Sequence, residues 1–272
     1  MKTIVITGAG GVLCSTIAKA LSKQGHKIAL LDLNIEAANA VADSIKEEGG
    51  KAIAIKTNVL EEESLQDARK KINEDFGPCE ILINGAGGNH PSATTDKPFY
   101  EPSENKKEGL KTFFNLDMSG FKFVFDLNFM GTLLPSQIFA QDMIERKKGN
   151  ILNISSMNAF QPLTKIPAYS GAKAAISNFT QWLAVYFSKV GIRVNALAPG
   201  FFLTEQNRKL LTYEDGSLTE RGETIIGRTP LGKFGKPEDL ISTTFWLIDD
   251  NSQFITGVIV PIDGGFSAFS GV

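Results

Sequence analysis

The sequence predicts one α/β domain, a doubly wound (Rossmann) sheet of about seven parallel strands with helices on both faces. Apolar segments of strand length alternate with longer helical segments along the chain. The strand segments are almost continuously apolar, which is typical of parallel strands buried on both faces. No linker, repeat or change in composition divides the 272 residues. We therefore expect a single domain over residues 1–272.

Each predicted strand is a short apolar run, and several predicted helices have a recognisable start or stop signal. Gly25 and then Gly49–Gly50 end the first two helices, and acidic side chains favour the N-terminus of the third. Pro135 predicts a kink, whereas Pro237 stands at a first helical position, where proline is tolerated. The predicted strands cover residues 2–7, 27–32, 51–56, 80–84, 150–155, 192–198 and 258–262. The predicted helices cover residues 12–25, 35–48, 61–76, 119–147 and 167–190, and one more begins at 237.

The composition argues against several classes of partner. The chain is 42% hydrophobic and 21% charged, and its net charge of −2 gives no general attraction to nucleic acid or an anionic membrane. The N-terminus runs directly into the first strand, too soon for a signal peptide, and no apolar run reaches membrane-spanning length. Cys14 and Cys79 lie within predicted elements and form no metal-ligand cluster. We expect a cytoplasmic protein without a metal site.

A glycine-rich turn follows the first strand. Gly8, Gly10 and Gly11 precede the first helix, where the backbone can approach a pyrophosphate whose charge the helix N-terminus stabilises. Asp32 ends the second strand, where an acid accepts hydrogen bonds from the adenosine ribose. Its carboxylate would repel a 2′-phosphate, and the turn contains no Lys or Arg to attract one. The pattern predicts NAD rather than NADP, with a helix cap as the alternative role of Asp32.

Small or polar residues end six of the predicted strands. In a doubly wound sheet, ligands bind outside the carboxyl ends of the strands. These six residues therefore predict a binding site along one edge of the sheet. They are Gly8, Asp32, Asn58, Asn84, Ser156 and Pro199.

A hydroxyl, a phenol and an ammonium group are predicted to converge at this edge. Ser156 follows a buried strand, and Tyr169 and Lys173 are four residues apart on one face of a helix. A packed tyrosine, a surface lysine and a helix-capping serine are the alternative interpretations, and each is common singly. Together, beside a cofactor site, the three side chains predict acid–base chemistry on one substrate oxygen.

Several short motifs lie at these strand ends or on the predicted helices. They are Thr7-Gly8, Asp32, Asn58-Val59, Asn84-Gly-Ala-Gly87, Asn128, Ser156, Tyr169-x-x-x-Lys173 and Pro199-Gly200-x-x-x-Thr204. With these motifs the chain resembles the short-chain dehydrogenases/reductases, from the first strand to Asp263-Gly-Gly. It departs from the family pattern Thr-Gly-x-x-x-Gly-x-Gly, because Val12 and Cys14 replace the last two glycines. Asn58 replaces the usual Asp, but its carbonyl can still accept a hydrogen bond from the adenine amino group.

The resemblance implies a catalytic tetrad of Asn128, Ser156, Tyr169 and Lys173. Lys173 and the positive nicotinamide would lower the phenol pKa from about 10, so that Tyr169 can exchange a proton with the substrate. Ser156 would hydrogen-bond the substrate oxygen, and Asn128 would hold a water leading to the lysine. The cofactor-binding residues that we predict are Gly8, Gly10, Gly11, Val12, Leu13, Asp32, Asn58, Val59, Asn84, Ala86, Gly87, Tyr169, Lys173, Pro199, Gly200, Phe202 and Thr204.

Two longer segments flank the predicted site. Asn84 and Asn128 are 44 residues apart, longer than the family leads us to expect, and the excess forms an insertion at about 88–118. This insertion could be a substrate lid or a surface excursion. Residues 201–235 are predicted to form a substrate lid, and amides and cations near both segments suit a polyol that carries a carboxylate. The predicted substrate residues are His90, Asn158, Lys165, Asn207 and Arg208, with Gln161 and Gln206 also nearby.

Four local sequences resemble a narrower branch of the family, the D-mannonate oxidoreductases (fructuronate reductases). They are Gly-Gly-Val-Leu-Cys14, Gly87-Gly-Asn-His-Pro, Ser155-Ser-Met-Asn-Ala and Pro199-Gly-Phe-Phe. The resemblance implies NAD-linked interconversion of D-mannonate and D-fructuronate. A gluconate 5-dehydrogenase-like or other polyol dehydrogenase is an alternative, as is a cofactor-binding regulator without turnover. Bulky apolar residues on more than one face of helices 119–147 and 167–190 suggest subunit contact, and the family resemblance implies a homotetramer.

Overall fold

The computed structural model describes residues 1–104, 109–204 and 207–271. Its centre is a seven-stranded, fully parallel sheet with the strand order β3-β2-β1-β4-β5-β6-β7. The strands are β1 (Thr3–Thr7), β2 (Lys27–Asp32), β3 (Lys51–Lys56), β4 (Ile81–Asn84), β5 (Gly149–Ile154), β6 (Ile192–Pro199) and β7 (Ile259–Ile262). The predicted fold class is confirmed.

Helices cover both faces of the sheet. They are α1 (Val12–Lys23), α2 (Ile35–Glu47), α3 (Glu62–Asp75), α4 (Met118–Phe125), α5 (Gly131–Arg146), α6 (Pro167–Tyr186), α7 (Arg208–Leu211), α8 (Glu220–Gly227) and α9 (Ile241–Ile248). Within the described residues, no helix is long and apolar enough to cross a membrane.

The core lies in two layers, one on each face of the sheet. Ile4 and Ile6 of β1 pack on the α1 side, whereas Val5 between them packs on the α3 and α5 side. Successive strand residues point to opposite faces, so a strand that is apolar at every position fills both layers. This is why the continuous apolar runs predicted the sheet correctly.

One predicted helix is two helices joined by an irregular turn. The prediction was a single helix over 119–147 with a kink at Pro135. In the structure α5 continues through Pro135, and the irregularity is the π-helical turn Asp126–Met130 between α4 and α5. Such turns place one extra residue in a helix and often occur at functional sites. Asn128 lies in the middle of this one.

Candidate active site

The strand order reverses direction between β1 and β4, and the glycine turn after β1 lies at this crevice. Gly8 has φ +62°, and a methyl group on it would lie 2.8 Å from the backbone of Ala86, in the loop after β4. Gly11 precedes α1 without a side-chain cap, so the first N–H groups of the helix remain available to an anion. The turn therefore has the close backbone approach and the positive helix end that a pyrophosphate requires.

Cys14 differs from the family glycine without disturbing this turn. The thiol packs against Gly85, where a methyl group would overlap the sulfur and lie 2.9 Å from the Thr7 carbonyl oxygen. Cys14 is therefore accommodated because residue 85 has no side chain. Burial raises the pKa of Cys14 to about 12, so the thiol stays neutral.

Asp32 closes the glycine turn from the end of β2. Its Oδ2 accepts a hydrogen bond from Gly10 N at 2.9 Å, and its Oδ1 accepts one from Asn34 N at 2.9 Å. The α2 cap is Asn34, whose side chain accepts a hydrogen bond from Ala37 N. Asp32 is therefore not the cap of α2, and its carboxylate lies at the mouth of the crevice.

These residues line one cleft of ≈ 430 Å³. Eight of the predicted cofactor residues line it, namely Gly8, Gly10, Gly11, Asp32, Asn58, Val59, Ala86 and Gly87. Val12 and Leu13 begin α1 directly beside it. The list of predicted cofactor residues missed Leu33, Asn34, Ala37, Thr57, Gly85 and Leu127. Leu33 and Thr57 directly follow β2 and β3, so the strand-end argument could have found them.

Two predicted cofactor residues have buried side chains that serve the fold. The Asn84 amide donates hydrogen bonds to Ser136 Oγ and Asn153 Oδ1. The Phe202 ring is 5% exposed and belongs to the core layer around α1. The structure thus leaves only the backbone of either residue for a cofactor.

The Asn58 side chain is already engaged in its own turn. Its Oδ1 accepts a hydrogen bond from Leu60 N at 3.1 Å, and its Nδ2 donates to Glu61 at 2.7 Å. One lone pair of Oδ1 remains, because an amide carbonyl oxygen has two. This lone pair is available for the predicted contact with adenine.

The four predicted tetrad residues lie beside the cleft. Lys173 is 4% exposed, and its Nζ donates to the Ile154 carbonyl at 2.8 Å and lies 5.6 Å from the centre of the Tyr169 ring. Asn128 donates to the carbonyls of Gly88 and Val124, both at 2.7 Å. The structure therefore places the lysine ammonium beside the phenol ring. It also ties Asn128 to the loop after β4.

Gly87 connects the tetrad with the cleft. A methyl group at Gly87 would lie 2.6 Å from Asn128 Oδ1 and 3.2 Å from Lys173 Nζ. Ser156 Oγ accepts a hydrogen bond from Asn158 N at 3.2 Å, and its hydroxyl also hydrogen-bonds the Tyr169 phenol, so the two hydroxyls lie together. Cofactor cleft and acid–base residues thus form one continuous site.

Burial shifts the pKa values of both titratable members of the tetrad. It lowers the pKa of Lys173 to about 8. Burial raises the pKa of Tyr169, and the Ser156 hydroxyl offsets this only in part. We expected the lysine to lower the phenol pKa, but desolvation dominates in the free protein. The phenol is therefore protonated at neutral pH before a ligand binds.

The loop after β6 completes the edge of the site. Gly200 is required because a side chain would meet Asp263 after β7, 2.6 Å from its Cα. The Asn207 amide bridges two backbone groups of this loop, since it accepts from Thr204 N and donates to Phe202 O, both at 2.8 Å. Asn207 was a predicted substrate residue, but its side chain supports the loop instead. Gln206 falls outside the described residues.

The other predicted substrate residues differ in exposure and in their hydrogen bonds. His90 is exposed, with Nδ1 engaged by Ser92 and its ring against Phe123. Asn158 is 5% exposed, and its Oδ1 has no partner among the described residues. Lys165 is half-buried before α6, and Arg208 is exposed at the start of α7. No cluster of metal-binding side chains occurs within 1–104, 109–204 and 207–271.

A parallel doubly wound sheet, a glycine turn with an acid at its mouth, and a partly buried Tyr beside a buried Lys define a dinucleotide-dependent oxidoreductase. The chain belongs to the short chain dehydrogenase family, whose sequence profile matches residues 2–215.

Comparison with known proteins agrees with this family. The chain is 61% identical to an uncharacterised oxidoreductase of Haemophilus influenzae over 272 residues, 100% of this chain and 95% of that protein. A crystal structure from Haemophilus influenzae with bound NAD, provisionally called a D-mannonate oxidoreductase, is 60% identical with a TM-score of 0.95, over 100% of this chain and 96% of that one. The 5-keto-D-gluconate 5-reductase of Escherichia coli K12 is 30% identical over 97% of this chain and 94% of that protein.

Proposed function

We propose that this protein is an NAD-dependent oxidoreductase that interconverts a hydroxyl and a ketone of a sugar acid, with D-mannonate and D-fructuronate as the favoured pair. The proposal rests on one observation, the continuity of the dinucleotide cleft with Ser156, Tyr169 and Lys173. The resemblance to a relative with bound NAD supports the cofactor, and that relative's provisional assignment supports the substrate.

The residues present fit NAD. Gly8 and Gly10 leave space that side chains would fill, and the uncapped N-terminus of α1 faces the same cleft as Asp32. Asp32 would accept hydrogen bonds from the adenosine ribose and repel a 2′-phosphate. Thr204 would hold the nicotinamide carboxamide. Oxidised NAD, when bound, would supply the hydride acceptor and a positive charge that favours the phenolate.

The tetrad side chains would move the proton. In oxidation, Tyr169 would take the proton of the substrate hydroxyl, and the carbon that bears this hydroxyl would give its hydride to bound NAD, which leaves a ketone. Ser156 would donate a hydrogen bond to that oxygen as charge develops on it, while its Oγ accepts one from Asn158 N. Lys173 holds a positive charge beneath the phenol, and Asn128 fixes the loop after β4. In reduction the protonated phenol returns the proton to the developing alkoxide.

A gluconate 5-dehydrogenase-like activity is the second candidate. The 30% identity to the Escherichia coli 5-keto-D-gluconate 5-reductase over nearly the whole chain favours it. Both candidates place the reacting carbon against the same side chains and differ only in the sugar-acid epimer. A regulator without turnover is a third hypothesis, which the complete tetrad disfavours.

Measuring NADH formation with D-mannonate, D-gluconate and other hexonates tests the proposal. We expect the highest kcat/KM with D-mannonate, and D-fructuronate should oxidise NADH in reverse. Tyr169→Phe should lower turnover about 10²- to 10⁴-fold while NADH still binds. Near-normal turnover of this variant would contradict the mechanism, whereas no turnover of any hexonate by the native protein would contradict the proposed substrate class.

A homotetramer in the cytoplasm belongs to the same proposal. Trp182 and Tyr186 are stacked with ring centres 4.9 Å apart on α6, and they are 56% and 66% exposed. Such a surface favours contact with another subunit. Cys14 and Cys79 are free and buried thiols, which suits a reducing compartment. Light scattering that shows a monomer would contradict the tetramer.

A further inference from the structure

The insertion at 88–118 is joined at its base by paired backbone segments. Asp96 N donates to the Lys111 carbonyl at 2.9 Å, and Lys111 N donates to Asp96 Oδ2 at 2.7 Å. Further along, Asp117 N donates to the Ser92 carbonyl at 3.3 Å. We call segments 91–96 and 111–117 the neck of the insertion. Residues 105–108 separate the two segments in sequence and fall outside the described part of the chain.

The neck forms part of the wall around the catalytic tyrosine. Ala93 is fully buried in a small cluster with Val124 and Ala168, and the rings of Phe121 and Tyr169 pack against that cluster. The insertion is therefore not a separate surface excursion. A change in the conformation of the neck would therefore alter the packing beside Tyr169.

The neck is hydrogen-bonded to a residue outside it that has an unusual backbone conformation. Thr95 N donates to the Lys165 carbonyl at 2.9 Å, and Lys165 has φ +73°. Among the described residues, Lys147 is the other non-glycine residue with positive φ, and it ends α5, where this conformation is common. Lys165 precedes α6, where no such reason applies. Strained backbone of this kind persists when its surroundings hold it, often at functional sites.

The Lys165 ammonium has no counter-ion among the residues that the structure describes. The residue is half-buried in the loop between Ser156 and Tyr169, and its Nζ forms no hydrogen bond or ion pair with any described residue. His90 differs, because its Nδ1 is engaged by Ser92. A half-buried cation beside a catalytic site is suited to an anionic group of the ligand.

We propose that Lys165 binds the substrate carboxylate, and that the Thr95 N–H of the neck holds the backbone that presents it. Lys165 is then the specificity-determining residue for acids over neutral polyols, and Thr95 is a positioning residue. This inference rests on the proposed sugar-acid function. It assigns the insertion the role of a fixed support for the carboxylate site.

Lys165→Asn tests the charge, because asparagine tolerates the left-handed conformation but lacks the ammonium. We expect the KM for D-mannonate to rise about 10- to 100-fold, with kcat changed only a few-fold and the KM for NAD unchanged. The native KM should rise with salt, and this dependence should flatten in the variant. Lys165→Arg should retain most of the affinity.

Thr95→Pro tests the support, because proline has no N–H. It should raise the same KM without altering the KM for NAD, whereas Thr95→Ala, which keeps the N–H and loses only the side-chain hydrogen bond to the Lys97 carbonyl, should raise that KM far less. An unchanged D-mannonate KM and salt dependence in Lys165→Asn would overturn the inference while leaving the proposed function intact. A native protein that neither turns over nor binds hexonates would overturn both. A native-like Thr95→Pro would overturn the role of the neck.

Discussion

The contact between Cys14 and Gly85 makes a quantitative prediction about the cofactor end of the site. Gly85→Ala should lower the free energy of unfolding by about 3 kcal/mol, the upper end for overpacking, because the new methyl group overlaps the Cys14 sulfur. The backbone of Gly85 does not require positive φ, so backbone strain adds nothing to this value.

Removing the sulfur should relieve most of the clash. Cys14→Ala alone should cost about 1.5 kcal/mol of stability, because it leaves a small cavity. In the double variant the methyl group occupies that space, at 3.7 Å from the Cβ of residue 14, and the contact with the Thr7 carbonyl at 2.9 Å remains tight. The double variant should therefore lose about 2.5 kcal/mol, which is a favourable coupling of about 2 kcal/mol.

Urea unfolding followed by circular dichroism measures these values, at one protein concentration because the proposed assembly makes stability concentration-dependent. Gly227→Ala is the control, since its side chain would meet no atom within 4 Å in α8 and should be neutral or stabilising. NAD affinity should fall in Gly85→Ala and recover in the double variant. If the two effects simply added, the packing explanation for Cys14 would be refuted.

Two further predictions concern charge. Asp32→Ala should lower the preference for NAD over NADP, as a ratio of kcat/KM, about 10- to 100-fold; an unchanged ratio would show that another residue sets the preference. The second concerns Lys173, whose pKa of about 8 in the folded protein lies below its ordinary value of 10.5. Between these two pH values the unfolded chain binds more protons than the folded protein. The free energy of unfolding should therefore rise with pH in that window. Relative to Lys173→Met, the gain should be about 3 kcal/mol, and identical pH profiles of unfolding would contradict it.

The sequence predicted elements whose signals are local. The apolar strands, Gly25 as the end of the first helical segment, and the strand-end residues of the cleft all follow from local periodicity and turn chemistry. The π-helical turn at Asp126–Met130 has no such signal, so the break was placed at Pro135 instead. Because tertiary packing decided it, one helix was predicted where two occur.

The sequence also did not show in which direction individual side chains point. Phe202 and Asn207 are adjacent to site residues in sequence, but one ring enters the core and one amide supports its own loop. The raised pKa of Tyr169 likewise depends on the atoms packed around the phenol, which spacing along a helix does not reveal. Motif spacing therefore located the site better than it identified the contacts within it.

The π-helical turn also limits how the length of this part of the chain can change. Each residue of an α-helix advances the chain by about 100° around its axis, but a π-helical turn takes up one extra residue with little change in the winding on either side. Deleting one residue within Asp126–Met130 should therefore restore regular winding and leave Val124 in its cluster with Ala93 and Ala168. The same deletion within α4 should instead rotate Val124 out of that cluster. The turn should therefore accept the loss of one residue that α4 would not, but that loss would move Asn128.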